Sequence, residues 1–233
     1  MPHIHLPKKV PHSWREFFKE YAIIVLGVLT ALGLEQAVES IHERHLAHEA
    51  REAIEQEIQA DIDRTAYRLS QQACIEKRLD EIEALLREWH GDDAFPTGVH
   101  VGFPGDVGLV YERWEANLAS GRFNEESARD QSEQAGLYSL IKILDGLQMQ
   151  EIDEWSQLRT LELGSRALSP AAKPMIASAL ASARSDARSI KLLAPVLVNS
   201  RPKEARSVFK PAQPGSACQP MRQPAGSPGL FDP

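Results

Sequence analysis

The residues best equipped for chemistry in this chain are its histidines, two cysteines and a few close carboxylates. His42, His45 and His48 recur every third position beside Glu49, a composition that in other settings ligates zinc. On a helix that spacing turns each imidazole about 60° from the next, so the first and third diverge by about 120° and do not converge on one ion. The H-E-x-x-H pattern is absent, and the triplet reads as the solvated face of a stalk. His3, His5 and His12 share a proline-bearing segment with Lys8 and Lys9, a basic tail suited to an anionic lipid surface. Glu112 and Glu115 flank Trp114, but carboxylates at this spacing recur in any acidic helix, and solvation accounts for them. Cys74 and Cys218 lack the C-x-x-C spacing of a metal or redox site. They read as two inert thiols, because Cys218 stands in a segment with little to hold it; a disulfide between them remains open. There is no G-x-S-x-G, no cysteine with an evident histidine partner and no calcium-type loop, and the glycines of 91–108 lack phosphate-binding spacing. No catalytic residue, cofactor-binding residue or metal ligand is assigned, and the chain is expected to be no enzyme and to need no cofactor.

The elements that would carry these residues begin with a greasy segment. Tyr21 to Leu34 reads YAIIVLGVLTALGL, free of charge. Those residues alone reach about 21 Å as a helix, short of a hydrocarbon core of roughly 30 Å. Phe17 and Phe18 extend the span to about 27 Å, with Lys19 snorkelling to the interface. Val38 and Ile41 add apolar surface beyond Glu35, and Trp14 and Tyr21 stand where an interfacial aromatic belt would place them. Lys8, Lys9, Arg15 and Lys19 precede the run, and Glu35, Glu39 and Glu43 follow it. The positive-inside rule then puts the N-terminus in the cytoplasm and everything after Leu34 outside. A cleaved leader, with small residues at Ala31 and Gly33, and a buried core helix are the competing readings. Gly27 with Ala31, and Gly33 with Ala37, form small-xxx-small pairs of the kind that lets two membrane helices approach.

From Glu35 to about Trp89 no proline or glycine interrupts a sequence rich in Glu, Ala, Gln, Arg and Leu, which predicts one long helix of roughly 80 Å. Ile54, Ile58, Ile62, Ala66 and Leu69, then Ile75, Leu79, Ile82, Leu86 and Trp89, place an apolar stripe along it, while Ser40 to Glu52 is a polar stalk. Gly91 to Gly108, rich in glycine and holding Pro96 and Pro104, reads as a loop with at most a short extended piece at Val99 to Phe103. A short helix is expected over about Val110 to Ser120, capped by Gly121. A long one follows from Asn124 as N-cap toward Leu163, with Leu137, Ile141, Leu144, Leu147, Ile152, Trp155, Leu158 and Leu161 as its stripe. Ser169 as N-cap and Pro170 open a last helix that Pro195 ends or kinks. Its seam, Ile176, Leu180, Ala183, Ala187, Ile190, Ala194 and Leu197, has heptad spacing of coiled-coil type. Beyond Asn199 lie seven of the fifteen prolines and few large apolar residues, so a disordered tail is expected.

The fold class is therefore all-α: a transmembrane helix continuing into a long helix that packs with two further long helices as an antiparallel bundle. The divisions are a cytoplasmic tail 1–16, a membrane helix 17–38, an extracytoplasmic helical domain 39–198 and a Pro-rich tail 199–233. A net charge of −7 from 26 basic and 33 acidic residues argues against nucleic acid as a partner. Trp14-x-x-Phe17-x-x-Glu20 followed by IIVLGVLTALGLEQAVE, with a later WEANLASG from Trp114, resembles a group of uncharacterised bacterial proteins with one N-terminal membrane helix and a helical soluble part. The resemblance runs to about Leu197 and implies an inner-membrane topology without implying an activity. The expected role is a membrane-anchored helical protein that contacts a protein partner or a second copy of itself. The alternative is a sensory or small-ligand module using the 91–108 loop.

Overall fold

The computed structural model describes residues 14–90, 98–105, 108–121, 127–163, 169, 171–200 and 215–221. It divides into two units, Met1–Ala50 and Arg51–Pro233, with helix α1 (Trp14–Ser70) contributing to both. Among the described residues the regular structure is helical, with no strand.

In the first unit, α1 carries the apolar run as uninterrupted helix. Trp14, Phe17, Phe18 and Tyr21 form a ladder of ring contacts at its start, with centroids 5.7–6.4 Å apart. Thr30, in the middle of the run, turns its hydroxyl back to the Leu26 and Gly27 carbonyls at 2.9 Å, so this hydroxyl demands no outside partner. The most apolar stretch has mean hydropathy 1.8 and none of it is buried. This helix is long and apolar enough to cross a membrane.

The second unit is a bundle. Burial along α1 begins at Ile54, and α2 (Gln72–Glu88) follows a turn at Gln71, so the expected unbroken helix to Trp89 is divided. At Gln71 the backbone stays right-handed, but its N–H switches to the carbonyl three residues back, Arg68 at 3.2 Å. Helix α3 (Glu112–Ser120) ends at Gly121 with φ 71°, the left-handed cap that its glycine permits. Helix α4 (Ala128–Leu158) tightens into a 3₁₀ turn over Arg159–Leu163. Its N-cap is Ser127, whose hydroxyl accepts the Asp130 N–H at 3.2 Å; the expected cap, Asn124, lies outside the described residues.

Helix α5 (Ala172–Asn199) starts two residues beyond Pro170, itself outside the described residues, and Ala171, not Ser169, is its N-cap. The Ser169 carbonyl accepts the Ala172 N–H at 2.9 Å. Pro195 neither ends the helix nor shortens it: α5 runs on to Asn199. Proline's φ suits a helix, and Ala194 and Leu197, both fully buried, hold the turns on either side.

All seven predicted seam residues of α5 are buried. Ile176, Ala179, Leu180, Ala183 and Ala187 pack with α2 residues Ile75, Leu79, Ile82, Leu85 and Leu86 and with Trp155, Leu158 and Leu161. Ile190, Ala194 and Leu197 pack with Ile54, Ile62, Tyr138, Ile141 and Leu144. Helix α5 is thus antiparallel to both α2 and α4, and α1 runs in the same direction as α4, pairing Glu57 with Tyr138 and Arg68 with Glu151. Alanines in the seam allow the close approach this packing needs. At the α2–α5 edge, Arg184 reaches Asp80 and Glu83 at 2.8 and 2.5 Å, and Lys191 reaches Glu76 at 2.8 Å.

The expectation of a featureless tail differs at one place. Residues 201–214 and 222–233 are outside the described set, but Gly215–Met221 packs on the bundle with Ala217 and Met221 buried. Cys74 and Cys218 are joined as a disulfide with Cα atoms 5.1 Å apart, which corrects the reading of two separate thiols.

Candidate functional site

The histidines of α1 do not gather. His42, His45 and His48 are exposed along α1, with His45 Nε2 3.3 Å from Glu49 Oε1. Among the described residues no group of three or more His, Cys, Asp or Glu side chains is placed to hold a metal ion. His3, His5 and His12 lie outside the described residues. Trp114 is buried and stacks on Tyr138 with centroids 4.5 Å apart. Glu115 engages Lys142 at 2.6 Å and Glu112 stays exposed, so the two carboxylates that flank Trp114 are surface groups.

What the structure brings together is polar and sits inside the bundle. Ile54, Glu57, Asp61, Thr65, Arg68, Gln72, Ile75, Leu79 and Ile82 follow one another three or four apart, and every one is buried. The middle of this seam is charged. Glu57 accepts the backbone N–H groups of Arg113 and Trp114 at 3.0 and 3.2 Å, neutralising the exposed amide end of α3, and the Tyr138 hydroxyl at 2.8 Å. Burial and the neighbouring Glu57 carboxylate both push the Tyr138 hydroxyl well above its ordinary range. Asp61 accepts the Val110 N–H at 3.1 Å and Arg64 at 2.9 Å, yet burial outweighs both and raises its pKa to about 7. Arg68 forms a two-pronged pair with Glu151, 3.0 and 2.5 Å, and its remaining nitrogen meets Gln72 Oε1 at 3.2 Å. Burial raises the Glu151 pKa, with Arg68 pulling it back down. Gln72 in turn donates to the Ala187 carbonyl at 3.0 Å, tying the seam to α5. Glu57, Asp61, Arg68, Gln72 and Glu151 thus have partners within the protein and join α1 and α2 to α3, α4 and α5.

A second polar cluster holds the segment Gly215–Met221 against α2 and the 98–105 loop. Arg78, almost wholly buried, donates to the carbonyls of His100 (2.5 Å), Val101 and Gln219. Gln71 Oε1 accepts Gly215 N–H at 2.9 Å. Ala217 N–H reaches the Phe103 carbonyl at 2.9 Å, Phe103 N–H reaches Ser216 Oγ at 2.9 Å, and His100 N–H reaches the Met221 carbonyl at 2.7 Å. From the other side, Glu162 Oε1 accepts Val101 and Gly102 N–H at 2.9 Å and lies 3.4 Å from His100 Nδ1. The approach is so close that glycine is required: Gly102 has φ 73°, and a Cβ there would stand 2.5 Å from the Ser216 backbone.

The Cys74–Cys218 disulfide, bridging residues 144 apart in sequence, adds to these contacts by confining the released state.

Between α2 and this segment runs an open groove of about 580 Å³, bordered by Lys77, Glu81, Leu85 and Glu88 on one side and Pro220 and Met221 on the other, with the disulfide in its wall. Its mixed charge and apolar floor offer contacts to a peptide or a small amphipathic molecule. The loop residues 98–105 do not line it. The seam's charged positions were missed by reading α1 for apolar residues alone, although Glu57, Asp61, Arg68 and Gln72 keep the register of Ile54 and Ile75. Nothing in sequence spacing pointed to the docking of Gly215–Met221.

Compared with known proteins, the chain matches no family model, no curated protein and no solved structure.

Proposed function

We propose that this protein is a non-enzymatic, single-pass membrane protein of a bacterial inner membrane whose helical domain makes contact with a protein partner or with a second copy of itself. The observation that carries the reading is that no part of the most apolar stretch of α1 is buried. Ile23, Ile24, Leu26 and Leu34 are each about two-thirds exposed, and water opposes such a run, whereas lipid accommodates it. The internal satisfaction of the Thr30 hydroxyl, in the middle of the run, suits the same solvent. The basic residues before the run and the acidic ones after it favour a cytoplasmic N-terminus and an extracytoplasmic bundle. The disulfide supports that side, because such bonds persist in oxidising compartments.

Contact with a partner is supported by apolar side chains left uncovered on the bundle, Leu192 and Val196 one turn apart on α5 and Ile143 and Met149 on α4. The buried Glu57, Arg68 and Glu151 bond to each other's helices and to backbone, and so knit helices together. A small-ligand or sensory role is the second reading, favoured by the groove beside α2.

The test is fractionation followed by crosslinking. Full-length protein should sediment with membranes, require detergent for extraction, and yield a crosslinked species heavier than one chain. Recovery in the supernatant without detergent refutes the anchor, and a lone monomer in detergent with no co-purifying protein refutes the contact role. A thermal-shift screen against metabolites in which one raises Tm would favour the second reading.

A further inference from the structure

We propose that the Cys74–Cys218 disulfide is a redox latch: its cleavage by a dithiol releases Gly215–Met221 from α2 and from the 98–103 backbone and uncovers the apolar floor beneath Ala217 and Met221. The inference does not depend on the lipid reading of α1.

Three observations carry it. The first is access. Cys218 is exposed, Cys74 is half-buried, and both stand in the wall of an open groove, so a thiolate reaches the sulfurs without unfolding a helix. Structural disulfides meant to endure are more commonly enclosed by the core they staple. The second is the nature of the held segment. It is short, it is tied down by backbone groups and by the side chains of Arg78, Gln71 and Ser216, and it contributes only Ala217 and Met221 to the core. Its contacts with the bundle are specific but few, and the covalent bond is the remaining tie. The third is what lies beneath. Met221 and Ala217 belong to the same cluster as Leu85, Val99, Val101 and Trp155, while the second cluster, around Ile62, Ile141, Leu144 and Ile190, is built without them. Release therefore alters the end of the bundle around α2 and leaves the second cluster standing.

The chemistry balances as ordinary thiol–disulfide exchange. A thiolate of the dithiol attacks Cys218 Sγ from the groove, the Cys74–Cys218 bond breaks, and Cys74 leaves as a thiolate that takes a proton from water. The reductant's second thiol then attacks the mixed disulfide, freeing Cys218 as a thiol. The protein gains two electrons and two protons, and the dithiol becomes its own disulfide.

The experiment uses the full chain in detergent, followed by hydrogen exchange on peptides covering 98–103 and 215–221 before and after dithiothreitol. Reduction is expected to speed exchange at the His100 and Ala217 amides by at least about tenfold, while amides of α4 and α5 around Ile141, Leu144 and Ile190 keep their protection. Cys218→Ser without reductant should match the reduced parent. The proposal is overturned if both cysteines become alkylatable and the segment stays protected, since the other contacts then suffice. Loss of protection in α4 and α5 together with the segment also overturns it, because the bond would then staple the whole domain. So does an untreated chain in which both thiols already react with iodoacetamide.

Discussion

Replacing Arg68 by alanine strands the Glu151 carboxylate inside the bundle. Both side chains are nearly inaccessible, with 1% and 3% of their surface exposed, and Arg68 supplies both charge-assisted hydrogen bonds that Glu151 receives from it. Removing one member of a buried pair costs about 3–5 kcal/mol, because desolvation of the survivor is no longer offset. At roughly 2–4 °C per kcal/mol for a domain of this size, Tm should fall by about 6–20 °C. The double variant Arg68→Met with Glu151→Met removes both charges and should regain most of that loss, leaving about 1 kcal/mol for the Gln72 oxygen that loses Arg68. Thermal unfolding of the full chain in detergent, followed by circular dichroism, measures all three proteins. The pH dependence gives an internal control. Burial already raises the Glu151 pKa and Arg68 opposes it, so the single variant raises it further. A carboxyl whose folded pKa exceeds its unfolded value favours folding at low pH and loses that advantage as pH rises through the folded value. The gap between parent and Arg68→Ala should therefore narrow on acidification. A Tm change under about 2 °C, or a double variant no better than the single one, would refute the argument that this pair holds α1 to α4 by mutual compensation.

Asp61, with its pKa raised to about 7 by burial, should make stability fall as pH rises from about 4 to about 7, by up to about 1.4 kcal/mol per pH unit. Asp61→Asn should flatten that slope in urea titrations at successive pH values. Glu57→Ala leaves the Tyr138 hydroxyl and the Trp114 N–H without their acceptor, at about 1–3 kcal/mol each, and should loosen α3, seen as altered Trp114 fluorescence before global unfolding. Gly102→Ala combines a strained φ with a clash against Ser216 and should raise the fraction of free thiol in a mass-resolved alkylation assay by displacing Gly215–Met221. Leu26→Arg places a charge within the apolar run at about 2.5–3.5 kcal/mol and should shift protein from the membrane pellet toward the supernatant.

Hydrophobic period and local stop signals were sufficient to place most helices, because both act within a few residues of where they are read. The α5 seam from Ile176 to Leu197 was legible for that reason, and so was the Gly121 cap, whose positive φ is a demand on one residue. The exposure of the run around Ile23 to Leu34 followed equally from composition. The division at Gln71 and the passage of α5 through Pro195 go with contacts made elsewhere in the chain: Gln71 Oε1 accepts the Gly215 N–H, and Ala194 and Leu197 on either side of Pro195 are buried. The same holds for Glu57, Asp61, Arg68 and Glu151. A charged residue on an apolar register is costly unless a partner meets it, and the partners lie on helices many residues away. The pairing of Cys74 with Cys218 is the extreme case, since only the folded bundle brings two residues 144 apart in sequence within reach. Sequence alone thus determined which faces avoid water, while tertiary structure decided which polar groups were allowed to join them.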